Sequence, residues 1–174
     1  MAKKKVSEET EVGMEEQGYY PEDDESFGIS EDFNVDDEYR PAPLIPAGVY
    51  HGYVTDVQFD AADQTLVWTF TLNGNGGVMS DGETPIDGSQ ITYRNWLPKP
   101  GDENELTKKG NMTKRQAKIN MLHDFAKIMG INLSTPAAIA EGIANASWIG
   151  IEKDLKIGVR TYEGRNFNDI ERII

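Results

Sequence analysis

Cysteine is absent from the 174 residues, which excludes disulfides, thiolate metal sites and thiol nucleophiles. Histidine occurs only as His51 and His123, and a metal centre of the zinc type needs at least three convergent ligands, so no metal is expected. No apolar run approaches the ~20 residues needed to cross a bilayer. Met1-Ala-Lys-Lys-Lys5 leads into acids rather than an apolar segment, so it is not read as a signal peptide. The glycine-rich run Asn73-Gly-Asn-Gly-Gly77 has neither the Lys-Ser/Thr nor the following helix of a phosphate loop and reads as a flexible hairpin loop. Asp81 and Asp87 lack the spacing of a calcium loop, and the serine-hydrolase elbow is missing. A soluble protein without enzymatic activity, cofactor or membrane partner is expected.

What the sequence does have is segregated charge. The net charge is −13, but Met1 to Pro43 holds fourteen Asp/Glu against four Lys/Arg, about −10, leaving about −3 for the rest. Within that remainder, Leu106 to Asn120 carries Lys108, Lys109, Lys114, Arg115 and Lys118 and no acid. An acidic tail joined to a body with a cationic stripe suits competition between tail and polyanion for one surface; a tail that only solvates has the same composition. Residues 1–43 are expected to be a disordered acidic arm and linker. Tyr19, Tyr20, Phe27, Phe33 and Tyr39 among its acids suit short-motif docking. Pro41, Pro43 and Pro46 stiffen the connector. Residues 44–174 are long enough to bury a core.

The body alternates like β-structure and then turns helical. Val49 to Phe59 reads as a strand with a bend or bulge at Gly52. In Gln64 to Leu72, Leu66, Trp68, Phe70 and Leu72 share one face; in Ser89 to Leu97, Ile91, Tyr93, Asn95 and Leu97 oppose Thr92, Arg94 and Trp96. Thr113-Lys-Arg-Gln116 reads as a capping box, with Ala117, Met121, Leu122, Phe125, Ile128 and Met129 at helical spacing and Gly130 as the stop. Thr135-Pro136 opens a shorter helix. Leu155, Ile157 and Val159 then alternate with Lys156, Gly158 and Arg160, Tyr162 to Arg165 turn, and Asn166 to Ile173 returns. The order β-β-β-α-(α)-β-β is that of a five-stranded OB-type barrel with a helix between strands three and four. A helix packed on an open antiparallel sheet has the same order; Gly52, placed where a long first strand must bend, favours the barrel.

Binding chemistry is better represented than catalysis. Single-stranded nucleic acid needs rings for its bases and cations for its phosphates on one surface. The third strand offers Arg94 and Trp96 on its non-core face, followed by Lys99. The fourth offers Lys156, Arg160 and Tyr162, with Gly158 leaving room between them. A groove across these two strands is expected, continued by Lys108, Lys109, Lys114, Arg115 and Lys118. Lys114 and Arg115 sit in a first helical turn, where the macrodipole disfavours cations by roughly a few tenths of a kcal/mol; such a cluster suits a phosphate chain. An inward-facing Trp96 and a solvated lysine stripe are the competing readings.

Pro46-Ala-Gly-Val-Tyr50, Leu66-Val-Trp-Thr-Phe70 and Gly164-Arg-Asn-Phe-Asn-Asp-Ile170 resemble phage-encoded single-stranded DNA-binding proteins of the OB-fold type, over about Leu44 to Ile174. The resemblance implies a non-sequence-specific binder that protects single strands in phage DNA replication and recombination, in the cytoplasm of an infected bacterium. It also implies replication or recombination proteins as partners of an acidic tail, and leaves self-association open. The family's acidic tail is C-terminal, whereas here the acids are N-terminal. Two other classes fit the composition: a virion or assembly protein with an acidic docking arm, and an acidic DNA-mimic inhibitor.

Overall fold

The computed structural model describes Gly28 and residues 32–174. Tyr19, Tyr20, Phe27 and most of the acidic arm lie outside the described residues. Backbone contacts divide the chain into Met1–Pro41 and Ala42–Ile174. Among its described residues the first unit has one helical turn, α1 (Val35–Glu38), whose cap Asn34 accepts from the Asp36 and Asp37 amides.

The second unit is a five-stranded antiparallel sheet in the order β3-β2-β1-β4-β5. The strands are β1 (Gly48–Asp60), β2 (Thr65–Leu72), β3 (Gln90–Trp96), β4 (Glu152–Tyr162) and β5 (Arg165–Ile173), with helices α2 (Lys114–Met129) and α3 (Pro136–Ala144) between β3 and β4. β1 changes partners along its length. Gly48 to Tyr53 pairs with β4, and Gly52 to Asp60 pairs with β2. The irregularity falls between Val54 and Asp56, so the bulge is at Thr55 and not at Gly52. Gly52 instead permits a close approach. At the handover a Cβ would meet the Thr71 carbonyl at 3.0 Å and Leu72 Cδ2 at 3.2 Å, so the crowded overlap of strands requires glycine. The edge strands β3 and β5 come within 8 Å between Cα atoms, with no ladder joining them among the described residues.

Burial of one sheet face organises the rest. Leu66, Trp68, Phe70 and Leu72 are all at most 1% exposed, as period-two alternation over a covered face demands. Leu122, Phe125 and Met129 of α2 join this core. The Trp68 ring lies 4.9 Å from Phe125 and 5.2 Å from Trp148, and Phe125 stacks on Tyr93 at 5.4 Å. Each buried aromatic contributes about 1.5–3 kcal/mol of transfer free energy. Gly142 in α3 lies against the Trp148 indole and leaves no space for a Cβ.

Local signals set the helix ends. Thr113 accepts from the Gln116 amide, and Gly130 ends α2 in the left-handed region at φ 69°. Only half of the expected capping box forms, because the Gln116 side chain donates to Asn120 instead. Met121 and Ile128 are exposed, so the stripe of α2 that meets the sheet is narrower than its apolar pattern suggests. Thr135 caps α3, which has proline in its first turn. No helix among the described residues is long and apolar enough to cross a membrane.

The segment between β2 and β3 is pinned rather than a loose hairpin loop. Asp87 accepts from the Asn75 amide, the Asn75 side chain and the Gly76 amide at 2.8–3.0 Å. These donors, the Asn75 amide foremost, hold its carboxyl below the usual carboxylate range. Ile86 beside it is buried.

Candidate nucleic-acid interface

β4 and β5 run past the core as a two-stranded ribbon. Residues 159–167 are all exposed. The turn is the two-residue Glu163-Gly164, both at positive φ (49° and 75°), the conformation that matches strand twist in tight hairpins. The turn thus spans Tyr162 to Arg165 as expected, and β5 begins at Arg165, one residue earlier than the sequence suggests. The turn also sets the register: Tyr162 pairs with Arg165, and Arg160 with Phe167. Alternate residues share a face, so these four side chains form one face, a ring opposite a guanidinium in each pair. Tyr162 is 67% exposed and Phe167 42%. Val159 has the core-facing parity expected of it yet is 44% exposed, because the ribbon leaves the core behind.

Phe167 and Arg165 are not among the contact residues expected from the sequence. The signal for them is nonetheless local. A two-residue turn at Glu163-Gly164 fixes which residues face Arg160 and Tyr162.

The base of the ribbon is less open than the sequence suggests. Lys156 Nζ pairs with Glu171 Oε2 at 3.0 Å, and Arg160 Nε with Asp169 Oδ2 at 2.5 Å. The register shift after Lys156 leaves Glu171 as the extra residue on β5, and its side chain occupies the space over Gly158. The room expected at Gly158 is thus already filled.

On β3, Trp96 is 47% exposed on the face opposite buried Ile91 and Asn95. Arg94 lies 3.5 Å from Asp60 and donates to Thr65 Oγ1. The following stripe divides in two. Lys114 pairs with Glu105, which holds its ammonium pKa above the ordinary value. The largely buried Lys118 side chain pairs at 2.7 Å with the buried Asp102, so it is a structural partner and not an open cation. Lys99, Lys108, Lys109 and Arg115 are at least partly exposed and form no ion pair among the described residues. Lys108 and Lys109 occupy the tip of a turn closed by Thr107 and Met112.

The expected groove across β3 and β4 requires correction. β2 and β1 separate the two strands within the sheet, and β5 forms the far edge beyond β4. β5 is thus the strand of that hairpin that approaches β3. The candidate surfaces are the ribbon face at the Gly48 end of β1 and the β3–α2 connection, with Trp96, Lys99 and Arg115, which follows the Asp60 end.

The histidines serve local contacts. His51 Nδ1 lies 3.1 Å from Asp154, and His123 Nδ1 lies 3.3 Å from Asp124. No group of three His, Asp or Glu side chains suited to a metal ion occurs among the described residues. No protein-family model matches the sequence, and no curated protein or solved structure matches it.

Proposed function

We propose that the chain is a non-catalytic, non-sequence-specific single-stranded DNA-binding protein of the kind phages use in replication and recombination, with a body of OB type. The observation that carries the reading is the ribbon face on which Tyr162 opposes Arg165 and Phe167 opposes Arg160. Rings supply stacking surfaces that every base accepts, and Arg165, without an ion pair among the described residues, is the ribbon cation left to follow the backbone while Arg160 is held by Asp169. Trp96, Lys99, Lys108, Lys109 and Arg115 add one exposed ring and four cations without ion pairs among the described residues at the β3–α2 connection.

The barrel is supported by β1 serving both β2 and β4, by α2 lying between β3 and β4, and by the approach of β3 to β5. The acidic arm fits recruitment of replication or recombination proteins through its aromatic residues.

An assembly subunit is the second reading, favoured by the exposed Met121 and Ile128 on α2 and by the ion pairs that neutralise Lys156 and Arg160. Titration of the full chain with a labelled single strand of about 30 bases and its duplex, at low and high salt, separates the two. Single-strand preference with affinity falling steeply as salt rises supports DNA binding. No single-strand binding at about 50 mM salt overturns it.

A further inference from the structure

The connection from β3 to α2 borders a shallow, open cleft of about 410 Å3 lined by Pro98, Lys99, Pro100, Glu103 and Arg115. Its shape follows from one buried carboxylate. Asp102, in the 3-10 turn Asp102–Asn104 and 3% exposed, accepts from the Lys99 amide at 2.9 Å and from Lys118 Nζ at 2.7 Å. This ties the turn to α2. It also decides which cations stay available. Lys118 is matched by Asp102 and Lys114 by Glu105, while Arg115 and Lys99 share the cleft without an ion pair among the described residues. Glu103 is the one carboxylate on the wall. The prolines supply a rigid, donor-free flank.

We infer that this cleft is a phosphate subsite, in which the Arg115 guanidinium and the Lys99 ammonium together take the oxygens of one phosphate group. A guanidinium presents two parallel N–H donors to such a group, and an ammonium adds a mobile point charge. The inference deepens the DNA reading and rests on it for the natural ligand, a backbone phosphodiester; free inorganic phosphate shares the chemistry. In the strand-bound state the cleft engages the backbone while the ribbon rings engage bases, so loss of its cations changes salt dependence more than stacking.

The test uses the full chain, 15N-labelled, titrated separately with inorganic phosphate and with an oligo-dT of about 15 bases, beside Arg115→Gln, Lys99→Gln and the control Lys127→Gln. Lys127 is exposed at the far end of α2. The expected result is that the Lys99, Gly101 and Arg115 amides shift in both titrations, at far lower concentration for the oligonucleotide. Arg115→Gln and Lys99→Gln should each weaken oligo-dT binding several-fold and reduce the slope of log K against log salt by about 0.7, with Lys127→Gln changing neither. Unchanged slopes in both variants of a chain that binds oligo-dT overturn the subsite. If the chain does not bind oligo-dT, phosphate-induced shifts at these amides that Arg115→Gln abolishes keep the subsite and remove the DNA reading. Absence of those shifts removes the subsite as well.

Discussion

Asn168 on β5 holds the backbone of Ile45 as a strand would: its Oδ1 accepts from the Ile45 amide at 2.8 Å and its Nδ2 donates to the Ile45 carbonyl at 2.7 Å. The same Nδ2 reaches the Gly158 carbonyl at 3.2 Å. One residue earlier, Leu44 is held the same way by Ser80, whose Oγ accepts from the Leu44 amide and whose amide donates to its carbonyl, each at 2.8 Å. The segment entering β1 thus straps β5 to the β2–β3 segment. Ile45 is 3% exposed, so Asn168→Ala leaves poorly solvated polar groups unpaired, at about 1–3 kcal/mol each. Thermal unfolding should show a midpoint lowered by several degrees. An unchanged midpoint would show that the strap is not a stability element.

Trp68 and Trp96 should separate stability from binding. Trp68 is fully buried between Phe125 and Trp148, so Trp68→Ala should cost about 3–5 kcal/mol of stability. Trp96 is half exposed, and Trp96→Ala should leave the melting midpoint nearly intact while weakening single-strand binding by about 1–3 kcal/mol. Equal destabilisation by the two would contradict the outward role of Trp96.

Asp102 gives the acid limb of stability a specific source. The Lys118 hydrogen bond, and after it the Lys99 amide, hold its carboxyl below the ordinary value of 3.8. The folded state then binds fewer protons at this group than the unfolded chain, so stability rises with pH through this window. The contribution is complete above the unfolded value and is lost as pH falls through the lower folded one. Chemical unfolding of wild type and Asp102→Asn between about pH 2 and pH 6 should show a shallower acid limb in the variant and lower stability at neutral pH. Parallel curves would place the acid sensitivity elsewhere.

The acidic arm should oppose DNA without needing a fixed contact. Residues 1–41 hold about −10 of the charge, tethered to a body that carries the cations. Removing them should raise affinity for oligo-dT, and the gain should shrink with salt as the Debye length falls below about 10 Å. Equal affinities of the full and truncated chains at low salt would leave the arm to solubility or recruitment.

The inward faces of β2 and β3 are legible in the sequence because a sheet covered on one side forces strict alternation from Leu66 to Leu72 and from Ile91 to Asn95. The ends of α2 are legible because Thr113 and Gly130 act within one turn of chain. The pairing of cations is not. Lys118 meets Asp102 only after an intervening turn folds back. Glu171 covers Gly158 only because β5 carries one extra residue, and no local pattern announces that shift. Five of the eleven expected contact residues, Arg94, Lys114, Lys118, Lys156 and Arg160, consequently carry carboxylate partners. Phe167 and Arg165 emerge as the missing half of the ribbon face once the two-residue turn is counted.

That ribbon face supports the most direct test. Fluorescence anisotropy of labelled oligo-dT with wild type, Tyr162→Ala, Phe167→Ala and the double variant reports stacking on two exposed rings. Each single change should weaken binding by about 1–3 kcal/mol, roughly 5- to 150-fold, and the double variant by more than either, with the melting midpoint preserved. Wild-type affinity in the double variant, with its fold intact, would contradict single-strand recognition by this face.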